Sequence, residues 1–166
     1  MRTCALLIAA ISVLVAGCGG APRYAVPAGA PTAEIRLVDE SSMDVAMATY
    51  DQHEGCTSRK WLFSYYVDGK EVEGETPYKT IRAGALTSFT IFHAVYGRFC
   101  DAHFKFTPME GRYYTAVAVD SEGKCGVALM VSETSDGEAT PVEEVQFPET
   151  KRRPWGETGS WCGSVP

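Results

Sequence analysis

Three side chains in the middle of the chain are of the types that move protons or hold metals. Asp101 and His103 stand two residues apart, so on a β-strand they share a face. His93 precedes Gly97, and a chain reversing there sets it across from Asp101. Two imidazoles and a carboxylate so arranged make a surface site for a zinc-type ion or for acid–base work, the equipment of a metal-dependent hydrolase. The plain alternative is three solvent-facing strand residues, because this face lies opposite the expected core. His53-Glu54 begins like a zinc-protease helix, but Gly55-Cys56-Thr57 follows and no second histidine comes within reach. No G-x-S-x-G elbow and no glycine-rich phosphate loop is present. These residues imply no cofactor, no resident metal and no catalytic group, so the expectation is a protein that is not an enzyme.

The cysteines have chemistry of their own. Cys56, Cys100, Cys125 and Cys162 are an even set, and none lies within four residues of another. Metal ligation favours close pairs. Wide, even spacing fits two disulfides formed in an oxidising compartment. The N-terminus agrees with export. Met1–Gly17 opens with the single cation Arg2, continues through uncharged Ala5–Ala16 and ends in small residues, the layout of a secretory signal peptide. A membrane span needs ~20 apolar residues, and this run is shorter. Val15-Ala16-Gly17-Cys18 resembles the lipobox of bacterial lipoproteins. The resemblance implies that the Cys18 thiol receives diacylglycerol and becomes the first mature residue, with Cys4 discarded. Gly19 stands where lipoproteins kept at the inner membrane often carry Asp, which implies the outer membrane, facing the periplasm. Acyl chains at ~0.8 kcal/mol per buried methylene hold such a protein without any spanning helix.

The elements that must position these residues read as strands. Residues 18–32 are rich in Gly, Ala and Pro and have no apolar period, the composition of a tether. Residues 33–148 form the domain, and 149–166 a loop-like tail pinned by Cys162 together with Trp155 and Trp161. Glu34–Val38 alternates polar and apolar. Trp61–Val67 is aromatic and β-prone, and Asp68-Gly69 after it is a hairpin turn. Counting back from a Pro108–Gly111 turn sets Phe106 opposite Tyr113. Counting back from Ser121-Glu122-Gly123 sets Val117 opposite Val127 and Thr115 opposite Leu129. Cys100–Val131 is then a three-strand meander with Phe104, Phe106, Val117, Val119, Val127, Leu129 and Val131 on one buried face. The expected fold is all-β, an antiparallel β-sandwich of about seven strands preceded by a helical signal peptide and a flexible tether. Tyr66 and Tyr114 fall on the outer face of their strands, where they would stack on a glycan or meet a partner, unless loops cover them.

Composition narrows the partners. The net charge is −6, and removing Arg2 with the signal makes it one unit more acidic. This argues against nucleic acid and against adhesion to anionic lipid heads. The partners expected are the bilayer, through acylated Cys18, and an envelope protein or glycan. The role is non-enzymatic binding or structure, with a subunit of an envelope assembly or secretion machine as the alternative.

The run from Cys100 to Cys125 contains Phe106, Pro108, Gly111 and Tyr113 in an F-x-P-x2-G-x-Y pattern beside a cysteine. It resembles small bacterial lipoproteins with a transthyretin-like or carboxypeptidase-regulatory-like β-sandwich, which often carry this pattern as a hairpin next to a cysteine. The resemblance and sequence proximity favour Cys100–Cys125, which leaves Cys56–Cys162. Strand counting objects. In the meander both cysteines would flank Val119 two strand spacings apart, ~9–10 Å, beyond the ~7 Å a disulfide allows. A bulge would have to close that gap; otherwise each would reach to Cys56 or Cys162.

Overall fold

The alternation that opens the domain is realised as strand β1, Thr32–Asp39, with Ala33, Ile35 and Leu37 buried between partly exposed neighbours. The computed structural model describes residues 22–148 apart from 42, 53–54, 65, 68–69, 72–75, 96–97 and 122–123. The segment expected to be a signal peptide, Cys4, Cys18, Cys162 and the tail from 149 lie outside the described residues.

After β1 come β2 (Asp44–Gln52), β3 (Thr57–Phe63), β4 (Tyr66–Val67), β5 (Lys70–Glu71), β6 (Lys79–Arg82), β7 (Thr87–Val95), β8 (Arg98–Phe106), β9 (Tyr113–Ser121), β10 (Lys124–Ser132) and β11 (Thr140–Pro141). The fold is an all-β sandwich. One sheet runs β11-β10-β9-β1-β6 and the other β3-β2-β7-β8, with β4-β5 a separate short ribbon. No described residue is helical. Most pairings are antiparallel, but β1 and β9 are parallel, Glu34 opposite Tyr113 through Asp39 opposite Ala118. A parallel pair needs a long crossover, and here β2 to β8, including all four strands of the other sheet, supply it.

The expected meander is corrected at both hairpins. β8 and β9 are not paired: they lie in different sheets, and residues 107–112 carry the chain across the sandwich. Phe106 therefore meets Tyr114 across the core, ring centroids 4.9 Å apart and planes tilted by 53°, instead of sitting beside Tyr113. The β9–β10 hairpin is real but one residue out of the expected register. Ser121 pairs with Lys124, so the turn holds two residues, and Val127 faces Ala118, Leu129 faces Ala116 and Val131 faces Tyr114. A one-residue change reverses the face of every side chain. Tyr114, Ala116 and Ala118 are buried, while Val117 and Val119 are only half-buried on the outer side. The reason is volume. Phe89, Phe104 and Phe106 stack together from the opposing sheet, and alanines on β9 leave room for those rings. Phe104, Phe106 and Leu129 are in the core as expected, with Val127 and Val131 packed against it.

The segment read as tether is laid along the sandwich from Pro22 onward. Trp61 N–H donates to the Pro22 carbonyl and Tyr24 N–H to the Trp61 carbonyl, each at 2.9 Å. Ala83 N–H reaches Pro31 at 2.8 Å. Composition predicts flexibility because Gly, Ala and Pro bring little surface to bury; here backbone bonds to the outer strand β3 and the ring of Tyr24 against the core fix the segment.

Candidate functional site

The three residues expected to act together do not meet. In the β7–β8 register His93 faces Cys100, Phe92 faces Asp101 and Thr90 faces His103. Adjacent residues on a strand point to opposite faces. His93 therefore points between the sheets, with Phe89 and Ile91, whereas Asp101 and His103 point outward. Among the described residues no group of three or more His, Cys, Asp or Glu is placed to hold a metal ion. The surface metal or acid–base site is corrected: Asp101 is exposed, and both histidines are buried.

Each buried histidine has a different environment. Neither ring nitrogen of His93 has a hydrogen-bond partner. Burial lowers its pKa, opposed by Asp39, Asp120 and Asp101. It sits next to the cross-sheet link, because its pairing partner Cys100 is bonded to Cys125 on β10 with Cα atoms 6.0 Å apart. Both cysteines belong to facing sheets, so the distance objection raised by a flat meander disappears.

His103 is part of a hydrogen-bonded chain that the sequence did not reveal. Tyr50 Oη lies 2.9 Å from Thr90 Oγ1, and Thr90 Oγ1 lies 2.7 Å from His103 Nδ1. His103 Nε2 lies 3.3 Å from Cys56 Sγ. Donors and acceptors match when Tyr50 donates to Thr90, Thr90 donates to Nδ1, and Nε2–H points at the sulfur. Burial holds the tyrosine and the imidazole neutral: Tyr50 is pushed up to about 12, and His103 is pushed down to about 4, with Lys105 adding to the effect of burial. Cys56 is disulfide-bonded, so it is no thiolate nucleophile for His103 to activate. The expected partner, Cys162, lies outside the described residues. These four side chains come from β2, β7, β8 and the loop before β3, and no local motif could have joined them.

The outer-face aromatics also divide. Tyr114 is not on the outer face: it is buried, and its hydroxyl accepts the Met109 N–H at 2.9 Å, fixing the crossover between the sheets. The side chain of Tyr66, on β4, lies outside the described residues. The aromatics that do reach a surface are others. β3 and β6 are the outer strands of the two sheets on one side of the sandwich. Between them and the Pro22–Val26 segment is a cleft of about 470 Å³ whose lining includes Arg23, Tyr24, Trp61, Tyr78, Lys79 and Thr80. Arg59 lies over Trp61, 4.6 Å from its ring centre, and Trp61 meets Phe92 edge-on at 5.4 Å. Arg36 covers Tyr78 at 4.9 Å, and Lys79 donates to the Leu62 carbonyl while lying over Phe63. Cation–π pairing of this kind keeps guanidinium and ammonium groups at a surface while their stems cover apolar area. The spacing Arg59-x-Trp61 on a strand was the sequence signal for it, since such residues share a face.

Protein-family models, curated proteins and solved structures give no match to this chain.

Proposed function

We propose that this is a lipid-anchored protein of the cell envelope that works by contact, as a binding or structural module, and that it is no enzyme. The observation that carries this is where the chain joins the sandwich. Pro22 is hydrogen-bonded to β3 only four residues after Cys18 of the Val15–Cys18 motif. Four residues span at most ~14 Å, so acylation of Cys18 would hold the domain against the bilayer with the β3–β6 side nearest it. The candidate chemical groups support contact over catalysis: two buried neutral histidines on opposite faces and cysteines held in disulfides. An envelope protein would find apolar contact at Phe99 and Phe147, both well exposed. Phe99 is on β8, and Phe147 follows Gln146, which bridges to Lys105 of the same strand. Outer-membrane location and kinship with transthyretin-like lipoproteins belong to the same reading, supported by Gly19 and by the Phe106–Tyr113 pattern.

The test is Cys18→Ser. The parent protein should float with membranes and carry a diacylglycerol-modified N-terminus by mass spectrometry, and the variant should be soluble or unprocessed. Unchanged processing and unchanged membrane partition in the variant would refute the proposal.

A further inference from the structure

We infer that the β3–β6 side of the sandwich is a membrane-facing surface whose cleft takes the anionic phosphate headgroups of the bilayer; this rests on the reading of Cys18 as the lipid anchor. Orientation is the first support. The Pro22 carbonyl is held by the Trp61 N–H, and Tyr24 is bonded on both sides, to the Trp61 carbonyl and, through its hydroxyl, from Arg82 N–H at 3.0 Å. The segment therefore cannot swing freely, and one side of the domain is presented to whatever Cys18 is embedded in.

Charge is the second support. The chain is acidic overall, at −6, yet among the described residues basic groups gather at this side. Arg23 and Arg82 are exposed at this side, and Lys79 lines the cleft. Arg82 pairs with Thr32 at the start of β1, whereas Asp39 closes that strand seven residues later, ~23 Å away at strand rise. Asp39 and Asp120 gather at that far end, around His93. Net charge governs encounter from afar, but at physiological salt charges act over ~8 Å, so the local sign decides what a tethered surface touches. Among the described acids on neighbouring strands, Glu34 accepts the Thr80 hydroxyl at 2.9 Å and keeps its charge, and Asp51 is paired with Lys60 at 2.7 Å.

Aromatic character is the third. Tyr24, Trp61 and Tyr78 are partly exposed in the cleft, and amphipathic rings of this kind settle at the headgroup level of a bilayer. Guanidinium groups beside them suit phosphate, which accepts two parallel N–H bonds from one arginine.

The protein as the cell produces it, purified from the envelope and reconstituted in vesicles of phosphatidylcholine alone or with phosphatidylglycerol, tests this by flotation and amide hydrogen exchange. Amides of residues 23–26 and 78–82 should exchange more slowly on the anionic vesicles, because each basic residue brought to the surface favours docking by roughly fivefold. Arg23→Glu/Arg82→Glu should abolish the slowing while leaving β9–β10 protection intact, which shows the variant is folded. Flotation with equal exchange on both vesicles overturns the headgroup surface and leaves the anchor standing. Failure to float, with Cys18 unmodified, overturns the anchor and this inference with it. The same slowing produced by inorganic phosphate on phosphatidylcholine vesicles would show a small-anion site and overturn the membrane surface.

Discussion

Replacing His103 should change how stability depends on pH, whatever it costs at neutral pH through the lost buried hydrogen bonds. The imidazole is buried in the Tyr50–Thr90–His103–Cys56 chain, and its pKa in the fold is about 4. In the unfolded chain it returns to ~6.5. Above pH 6.5 both states are neutral and the fold has its full stability. As pH falls through 6.5 toward 4 only the unfolded state takes the proton, so stability is lost over that window. Linkage gives a loss of roughly 2 kcal/mol between pH 7 and pH 5, and roughly 3 kcal/mol once pH is below 4. For a domain of this size that moves a urea midpoint by ~1 M. Urea unfolding of the oxidised protein at pH 7 and pH 5, beside His103→Asn, isolates the effect. His93 also has a lowered pKa and acts in the same direction, but it is present in both proteins and cancels in the difference. The variant should lose less stability than the parent on acidification, by about the 2 kcal/mol above. Parallel pH profiles, or an NMR titration placing His103 near 6.5, would refute the assignment of a neutral, hydrogen-bonded imidazole.

Two further outcomes follow from the packing. Cys100→Ser/Cys125→Ser removes a link that closes 25 residues between the sheets and should cost ~3 kcal/mol in chemical denaturation, by a mechanism that is model-dependent; a loss below measurement would mean that the bond does not constrain the unfolded chain. Thr76→Val keeps the shape of a buried side chain but removes the hydroxyl that accepts Leu37 N–H at 2.9 Å; it should cost ~1–3 kcal/mol and speed hydrogen exchange at Leu37, and unchanged exchange there would show that the hydroxyl is not that amide's acceptor.

The sequence carried the class of fold because alternation is a local property. Ile35 and Leu37 announce one buried face without any knowledge of the partner strand, and turn residues mark where strands stop. It also carried the cross-sheet bond between Cys100 and Cys125, though strand counting argued against it, because counting placed the two cysteines in one flat sheet. Pairing is not local. The turn after Ser121 holds two residues where three were counted, and that single residue moved Tyr114 from the outer face to the core and Val117 and Val119 out of it. What favours the observed register is volume across the sandwich, alanines facing a stack of phenylalanines, and no stretch of β9 read alone contains that information.

The same distinction separates the candidate sites. The sequence by itself determined that the chain would be β-rich, that the four cysteines from Cys56 onward are widely spaced, and that an apolar run ends in Val15-Ala16-Gly17-Cys18, since each of these is set by residue type and short spacing. Only the tertiary structure decided that His93 and His103 lie on opposite faces, because that depends on which residue of β8 faces which residue of β7. Only it joined Tyr50, Thr90, His103 and Cys56 from four separated segments, and only it gathered Arg23, Lys79 and Arg82 on one side of an acidic molecule. Net charge is a sum that position does not enter; a surface potential depends on where each charge is placed, and the fold sets those places.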